Sequence, residues 1–323
     1  MKTIGVVTTG GDAPGMNAAI RAVTRIANSK NLKVVGFERG WEGLLTNKCK
    51  KLTPRSVGGI IQLGGTMLHT IRCPEFKNEE GLEKAAQNLA LNNVDGLVVI
   101  GGDGSFRGAL DLSRKSSALM VGIPASIDND IYGTDETIGF DTAVNTAVGE
   151  IDKIRDTAIS HERLFIVEVM GRERGFLALN VGISIGAEVI LIPEQVCQLD
   201  QILEIIRENA RKGKRAGIIV AAEGVGDNAK LAKDLQEHTN LDTLEVRLSI
   251  VGYAQRGGSP TARSRLLASL FAEKAVGLLC EEQGNRVVVL HHNSIGSIEL
   301  EKACRLKKPV DLSLLELAKM LST

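Results

Sequence analysis

Residues 96 to 105 read GLVVIGGDGS, an apolar run that stops at a glycine-rich turn. The same order, an apolar run and then GGD, occurs at residues 3 to 12 in TIGVVTTGGD. Runs that are apolar on both faces are typical of strands in a parallel sheet covered by helices. Both stretches therefore predict a buried parallel strand that leads through a turn into a helix.

Similar apolar runs recur along the chain, and helical patterns separate most of them. We predict strands at residues 3–9, 33–37, 96–100, 120–123, 164–170, 189–192, 217–222 and 286–292. We predict helices at residues 16–28, 81–93, 142–156, 200–213 and 264–282. Repeated strand, loop and helix indicate a doubly wound α/β fold with mostly parallel sheets, and the strands are numerous enough for two α/β lobes.

Composition excludes several classes of function. The 323 residues are 43% hydrophobic, enough to bury one large core or two ordinary ones. Basic and acidic residues number 39 each, and aromatic residues make up 3%. A balanced charge attracts neither nucleic acid nor an anionic membrane, and few aromatic rings are available to stack on bases.

The cysteines, the N-terminus and the hydropathy all favour a cytoplasmic protein. Five scattered cysteines with no C-x-x-C pair argue against a disulfide framework and a zinc site. The N-terminus enters a strand pattern at once, without a cleavable signal, and no apolar run approaches the roughly 20 residues of a membrane span.

Polar and glycine-rich segments follow the predicted strands, where ligands collect in such sheets. They are residues 10–12, 101–105, 126–130, 170–172 and 223–224. Glycines there let the backbone approach a phosphate at a helix N-terminus, although each loop alone is also compatible with a simple tight turn. Asp103 would repel a phosphate unless a cation lay between them, so it is a magnesium candidate; capping the next helix is the alternative.

The remaining chemistry favours phosphoryl transfer. Five arginines near these loops could clamp anionic substrates bidentately, although a solvated surface position is the alternative for each: Arg72, Arg163, Arg172, Arg247 and Arg256. The histidines form no H-E-x-x-H, and no G-x-S-x-G is present. In PASIDND, residues 124–130, two carboxylates two residues apart would point the same way if the stretch were extended. Carboxylates, magnesium and arginines are the equipment of phosphoryl transfer.

Taken together, six motifs resemble those of the bacterial 6-phosphofructokinases in order and spacing. They are TTGGDAPGMNAAIR (8–21), VVIGGDGS (98–105), P-x-SIDND (124–130), VEVMGR (167–172), AEG (222–224) and QRGGSP (255–260). The resemblance implies an ATP-dependent 6-phosphofructokinase of glycolysis, which transfers the γ-phosphoryl group of magnesium-bound ATP to the 1-hydroxyl of fructose 6-phosphate. It also implies a homotetramer of two interlocked domains: an ATP-binding lobe (1–139 and about 257–307) and a sugar-phosphate lobe (140–256 and about 308–323).

The resemblance also implies roles for single residues. Asp128 is similar to the family's catalytic base, with Asp130, Arg172 and Ser126 assisting, and Asp103 to its magnesium ligand. The implied ATP-binding residues are Gly11, Arg72, Cys73, Gly102, Asp103, Gly104 and Ser105. The implied sugar-phosphate residues are Ser126, Ile127, Asp128, Arg163, Met170, Gly171, Arg172, Glu223, Arg247, Tyr253 and Arg256, with Arg163 and Arg247 reaching over from a neighbouring subunit.

Departures from the family pattern refine these expectations. Gly104 and Ala125 stand where pyrophosphate-dependent members have Asp and Lys, so ATP is the expected donor. Ser126 replaces the usual threonine and loses the β-methyl group that fixes the rotamer, so we expect a looser contact with activity retained. Tyr253 replaces a histidine and cannot become cationic, which bears on sugar-phosphate binding.

A second, regulatory site for ADP or phosphoenolpyruvate is also implied. Its matching residues are Arg21, Arg25, Arg155, Gly186, Ala187, Glu188, Lys212, Lys214, Arg215 and Ala216. Pro54 and Gly59 replace an arginine and an aspartate usual there, so we expect weakened allosteric control. Two other classes stay open. A nicotinamide-dependent oxidoreductase would need a G-x-G-x-x-G motif after the first strand, which this sequence lacks. A non-catalytic nucleotide or sugar-phosphate sensor would have lost the catalytic base, whereas Asp128 is present.

Overall fold

The structure, a computed structural model, describes residues 1–239 and 244–322. The strands are β1 (Thr3–Thr8), β2 (Lys33–Phe37), β3 (Cys49–Leu52), β4 (Gly96–Gly101), β5 (Leu119–Pro124), β6 (Arg163–Val169), β7 (Val189–Leu191), β8 (Gly217–Ala222), β9 (Glu245–Ile250), β10 (Arg286–His291) and β11 (Ser294–Glu299). The helices are α1 (Met16–Ser29), α2 (Trp41–Leu45), α3 (Glu79–Leu91), α4 (Asp103–Ser113), α5 (Phe140–Ser160), α6 (Phe176–Ile185), α7 (Leu199–Arg211), α8 (Asn228–His238), α9 (Ala262–Cys280), α10 (Leu300–Arg305) and α11 (Ser313–Ser322). Strands and helices alternate along most of the chain, so the fold is α/β.

The chain divides into two compact units, each built from separated segments. The first unit comprises residues 1–142 and 256–308, and the second comprises 143–255 and 309–323. Each unit is described by itself below.

The first unit is built on a seven-stranded sheet in the order β11-β10-β5-β4-β1-β2-β3. The five inner strands pair in parallel, and the two edge strands, β11 and β3, are antiparallel to their neighbours. Val6, Val7, Val98 and Val99 are fully buried at its centre, as expected for strands with helices on both faces. This confirms the predicted mostly parallel α/β sheet.

The second unit contains a four-stranded parallel sheet in the order β7-β8-β6-β9. Its core forms where α7 and α8 cover the apolar face, with Ile166, Ile202, Ile219 and Leu235 almost completely buried. Within residues 1–239 and 244–322, none of the helices combines the length and the apolar character that a bilayer span requires.

All eight predicted strands are present, and the strands that the sequence missed lie at sheet edges. β3, β9 and β11 are short segments in which polar and apolar residues mix, such as CKKL, EVRLSI and SIGSIE. An edge strand needs no continuous apolar run, because part of its surface stays in water. The five predicted helices agree with α1, α3, α5, α7 and α9 to within a few residues.

The topology places a crevice between β1 and β4. These strands are neighbours in the first sheet, yet the chain leaves β1 towards β2 on the far side and returns through α3 to β4. In doubly wound sheets such a switch point opens a crevice at the carboxyl ends of the strands, and ligands bind there. Both GGD loops follow these two strands.

Candidate active site

The two glycine-rich loops at the switch point touch each other. The Ser105 hydroxyl donates a hydrogen bond to the Thr9 carbonyl at 2.9 Å. A Cβ built on Gly101 would lie 2.4 Å from Ser105 Oγ and 2.5 Å from the Thr9 carbonyl oxygen, so only glycine fits there. Gly10 has a positive φ of 84°, a conformation that glycine adopts without strain. The glycines therefore serve the close approach of two backbones beside the crevice.

Gly11 lies against the guanidinium of Arg256. A Cβ on Gly11 would come within 2.1 Å of Arg256 Nη1, so any side chain there would displace the arginine. The Nε atom of Arg256 is buried and has no hydrogen-bond partner among the described residues. A buried guanidinium N–H with no acceptor is costly, and an anion in the crevice would satisfy it.

The α4 terminus carries the predicted magnesium residue. Asp103 is the first residue of the helix, and its Oδ2 accepts a hydrogen bond from Arg107 Nε at 2.9 Å. The side chain of Asp103 is 39% exposed, so it is open to the crevice and to water. Gly104 has empty space where a Cβ would stand. The N-cap of α4 is Gly102, so Asp103 is not the capping residue that the sequence left as an alternative.

The segment from Ser126 to Asp130, here called the catalytic turn because it contains the predicted base Asp128, follows β5. The sequence alone allows an extended conformation for this segment. The segment is instead a turn, because the backbone of Asn129 has a left-handed φ of 52°. The Ser126 hydroxyl accepts the backbone N–H of Asp128 at 3.2 Å and donates to Asp130 Oδ1 at 3.3 Å. The two aspartates are therefore linked through hydrogen bonds to the Ser126 hydroxyl, and not by the alternation of side chains along a strand.

The catalytic turn adjoins the second glycine-rich loop. A Cβ on Gly102 would lie 3.7 Å from Ser126 Cβ, and the Ala125 N–H bonds the Gly101 carbonyl at 3.0 Å. Asp128 is only 4% exposed, and Ile127 is 2% exposed. Ile127 can therefore offer a ligand little more than its backbone.

Arg72 and Cys73 lie on the segment that approaches the first glycine-rich loop. The Thr70 hydroxyl donates to the Gly10 carbonyl at 2.9 Å, which ties this segment to the crevice. Arg72 is exposed, and Cys73 is half-buried at the start of a short 3-10 helix, Pro74–Lys77. Burial raises the pKa of the Cys73 thiol, so the sulfur is neutral at physiological pH.

The loops of the second unit hold a second group of predicted residues. Glu223 Oε1 accepts the backbone N–H groups of Gly171 at 3.1 Å and Arg172 at 2.6 Å. The buried side chain of Gln255 accepts the N–H of Met170 at 3.3 Å. The sequence did not single out Gln255, although it begins the QRGG motif. These contacts shape the loop after β6 and leave the Arg172 side chain exposed.

Arg163 and Arg247 lie at the other end of the same sheet. Arg163 is the first residue of β6 and Arg247 is the third residue of β9, and both guanidinium groups pair with the carboxylate of Glu245. Since β6 spans seven residues, about 20 Å of strand separates Arg163 from Met170. The structure of one chain therefore does not bring these two arginines to the loop that contains Met170 and Arg172.

Tyr253 lies in the 3-10 helix Gly252–Arg256 and is 82% exposed. An aromatic ring this open to water makes few contacts within its own chain, so its phenol is accessible to a ligand.

The predicted regulatory residues are partly collected around a cavity of about 320 Å³ in the second unit. Glu188, Lys214, Arg215 and Ala216 line it. Lys214 pairs with the buried carboxylate of Glu188 at 3.1 Å, and Arg215 pairs with Glu162 at 3.1 Å. Both cavity cations therefore already have anionic partners.

The other predicted regulatory residues lie outside this cavity. Gly186 ends α6 in the left-handed conformation, followed by the buried Ala187. Arg155 donates to the Ile185 carbonyl at 2.5 Å, and Lys212 lies 4.0 Å from a Glu208 carboxylate oxygen. In the first unit, Arg21 and Arg25 lie on α1, and Arg25 contacts the Pro54 carbonyl at 3.4 Å.

Fold and loops together define a class of protein, the α/β phosphotransferases. Residues 3–279 match the phosphofructokinase family. The chain is 50% identical to an ATP-dependent 6-phosphofructokinase of Lysinibacillus sphaericus and 49% identical to one of Bacillus subtilis, in both cases over the full length of both chains. The chain belongs to the phosphofructokinase family.

Solved structures agree with this assignment. The fold superposes on Pichia pastoris phosphofructokinase in the T-state with a TM-score of 0.87 and 35% identity. That match covers 94% of this chain and 35% of the much longer Pichia chain. The resemblance read from the six motifs and the α/β fold class are thereby confirmed.

Proposed function

We propose that this chain is an ATP-dependent 6-phosphofructokinase. It transfers the γ-phosphoryl group of ATP to the 1-hydroxyl of fructose 6-phosphate, giving fructose 1,6-bisphosphate and ADP in glycolysis. The first unit would bind ATP, and the second would bind the sugar phosphate. The full-length identity of about half to curated bacterial relatives bearing that name supports the activity.

Three loops meet at the carboxyl ends of strands in the first sheet, and this arrangement supports the proposed residue roles. The loops after β1, β4 and β5 are joined by the Ser105 bond to Thr9 and by the Ala125 bond to Gly101. We propose that the two glycine-rich loops, with Arg72 and Cys73, hold the nucleotide through Gly11, Gly102, Asp103, Gly104 and Ser105. The catalytic turn then receives the sugar hydroxyl beside the transferred group.

In this proposal Asp128 is the general base. Its low exposure excludes bulk water from the carboxylate, and the Ser126 hydroxyl fixes the backbone at its N–H. Such a base needs positioning more than strength, because the loose transition state of phosphoryl transfer requires little early proton abstraction. Ser126 and Asp130 assist at the same turn, and Arg172 would balance charge on the transferred group.

The residues present fit a magnesium ion brought with the nucleotide. Within the described chain no three His, Cys, Asp or Glu side chains form a ready metal cage. Magnesium is usually held by one or two carboxylates plus substrate phosphates, and Asp103 offers one accessible carboxylate at the α4 N-terminus. When bound, the ion would neutralise charge on the β- and γ-phosphates.

The space around α4 supports ATP, rather than pyrophosphate, as the phosphoryl donor. The position where pyrophosphate-dependent members have an aspartate is Gly104, which leaves that part of the crevice empty. Ala125 is buried and carries no charge. Gly104 therefore leaves room for the rest of a nucleotide, and Ala125 adds no charge that would favour pyrophosphate instead.

The sugar phosphate would be held by residues of two subunits. Met170, Gly171, Arg172, Glu223, Tyr253 and Arg256 would act in their own subunit. Arg163 and Arg247 lie at the opposite end of their sheet, so we propose that they act in a neighbouring subunit's site within a homotetramer. Their shared partner Glu245 would then give way to the phosphate.

We also propose a weak regulatory site for ADP or phosphoenolpyruvate. Lys214 and Arg215 line its cavity but already pair with Glu188 and Glu162. Pro54 and Gly59 supply no charged side chain, and Gly59 has open space around it. Strong phosphoenolpyruvate inhibition that ADP relieves would contradict this proposal.

A coupled assay of ADP release tests the main proposal. Wild-type protein with magnesium, ATP and fructose 6-phosphate should release ADP, and Asp128→Asn should lower kcat by at least about 100-fold. Asp111→Asn, an exposed carboxylate at the far end of α4, is the matched control and should retain wild-type rates. Absence of ADP from wild type would instead favour a non-catalytic sensor.

Tyr253 supports a second candidate, altered sugar-phosphate preference on the same chemistry. Its exposed phenol can donate a hydrogen bond to a phosphate but cannot supply the positive charge of a protonated histidine. Comparing kcat/KM for fructose 6-phosphate with other ketose phosphates decides the point, since equal values would favour the broader specificity.

A further inference from the structure

The catalytic turn is held by a second set of buried polar side chains that the proposed chemistry does not use. Thr137 is fully buried, and its hydroxyl donates to the Ser126 carbonyl at 2.5 Å. The same hydroxyl lies 3.3 Å from Asn129 Oδ1. A single threonine thus contacts the turn at its first residue and at the residue between the two aspartates.

Asn129 is constrained from its other end as well. Its Nδ2 donates to the Asp135 carbonyl at 3.1 Å, which orients the amide with its oxygen towards Thr137. Asn129 is 4% exposed and has the left-handed φ of 52°. Asparagine adopts the left-handed region more readily than most residues, so it suits this bend, and the two hydrogen bonds fix its buried amide.

The support is anchored on strand β10, far along the chain. The Asp135 N–H bonds the Leu290 carbonyl at 2.7 Å, and the Leu290 N–H bonds the Thr134 hydroxyl at 3.0 Å. In addition, the Ile138 N–H donates to the Pro124 carbonyl at 3.0 Å, so residues 134–138 pass over the carboxyl ends of the inner strands β5 and β10. The segment that carries Thr137 is therefore tied by hydrogen bonds to Pro124 of β5 and Leu290 of β10.

We propose that Thr137 and Asn129 are positioning residues for phosphoryl transfer. They hold the left-handed bend that separates Asp128 from Asp130 and so keep the base at its working distance from the sugar hydroxyl, without touching either substrate. This proposal rests on the proposed function, because it concerns the step that Asp128 performs.

Thr137→Val is the decisive variant, since it keeps the shape of the side chain and removes the hydroxyl. We expect kcat to fall about 10- to 100-fold, the effect of an ångström-scale misplacement, while both KM values stay within about threefold of wild type. Thr137→Ser restores the hydroxyl and should recover most of kcat. Asn129→Gly keeps the left-handed backbone accessible, removes the amide and should lower kcat in the same way.

Thr24→Val is the matched control. Thr24 is also fully buried and donates to a backbone carbonyl, Ile20 at 2.8 Å, but it lies inside α1 away from the turn. It should leave kcat unchanged even if it lowers the melting temperature as much as Thr137→Val does.

Three outcomes would overturn the proposal. One is a kcat of Thr137→Val within threefold of wild type, and another is an equal loss in Thr137→Val and Thr137→Ser. The third is a loss carried by KM instead of kcat. Calorimetric titration with magnesium-ATP should give wild-type affinity in Thr137→Val, a readout independent of turnover. A wild-type protein without kinase activity would refute the proposed function instead, so the two failures are distinguishable.

Discussion

The catalytic turn and the residues proposed to bind the sugar phosphate are organised in opposite ways. Residues 127 to 129 of the turn are buried, and the Ser126 hydroxyl contacts both Asp128 and Asp130 within one unit of one chain. The sugar-phosphate residues divide between the two ends of the small sheet, with Met170 and Arg172 at one end and Arg163 at the other. In the proposed function, the chemistry that depends on close placement would be assembled within one chain, whereas recognition of a charged group would depend on long arginine side chains at both ends of a sheet.

The largest effect should come from mixing two inactive proteins. Asp128→Asn lacks the base, and the double variant Arg163→Ala, Arg247→Ala lacks the two distant arginines. If sites are shared between subunits, hybrids of the two contain intact sites and should reach up to about a quarter of wild-type activity. Hybrids of Asp128→Asn with Ser126→Ala, both altered in the same turn, should show no more activity than the mean of their two parents. A mixture no more active than its parents would show that the two arginines act elsewhere.

Removing the Ser126 hydroxyl should have the next largest effect. Ser126→Ala loses the acceptor for the Asp128 N–H and the donor to Asp130, so we expect kcat to fall about 10- to 50-fold. Ser126→Thr keeps the hydroxyl, adds the rotamer-fixing methyl group and should raise kcat by about two- to threefold. An unchanged rate in Ser126→Thr would mean that the serine contact is not loose.

Filling the space at Gly11 should have a smaller effect. The new methyl group of Gly11→Ala would displace the guanidinium of Arg256, the flexible end of a side chain proposed to bind the sugar phosphate. We expect kcat/KM for fructose 6-phosphate to fall about tenfold. Gly277→Ala in α9, where a Cβ meets open space, is the control and should retain wild-type kinetics. Equal kinetics in both variants would show that Arg256 need not lie on Gly11.

The smallest effect concerns two half-buried cysteines, one in each unit. Burial raises the pKa of Cys73 and of Cys197, so little thiolate forms near pH 7 and alkylation of both should accelerate as the pH rises towards 9. Magnesium-ATP should slow alkylation of Cys73 by about threefold or more and leave Cys197 unaffected. Peptide mass spectrometry measures both, and equal protection would argue against nucleotide contact at Cys73.

The sequence was most informative where the physics is local. Continuous apolar runs predicted the inner strands, and glycines directly after the first and third of these runs predicted the loops that follow β1 and β4. The sequence did not predict the edge strands β3, β9 and β11, because polar residues interrupt their apolar pattern. A strand at a sheet edge does not require a continuous apolar run. Spacing alone also suggested an extended PASIDND, whereas the left-handed Asn129 converts it to a turn.

The sequence could not predict contacts between residues that lie far apart along the chain, for a different reason. The contact between Gly11 and Arg256 joins residues far apart in sequence, and no local pattern encodes it. Thr137 looked like any polar residue before a helix. The position of Arg163 was partly foreseeable, since it directly precedes a predicted strand whose functional loop lies at the opposite end.

The anchoring of the catalytic turn on β10 has a consequence for how this protein is made. Leu290 emerges from the ribosome long after Asp128, so the nascent chain carries its aspartates without the backbone partners that hold residues 134–138. The first unit can close its sheet only when β10 and β11 have been synthesised, while the second unit is inserted between its halves. Contacts this distant in sequence slow folding, so a prematurely terminated product ending before residue 286 should be inactive and prone to proteolysis.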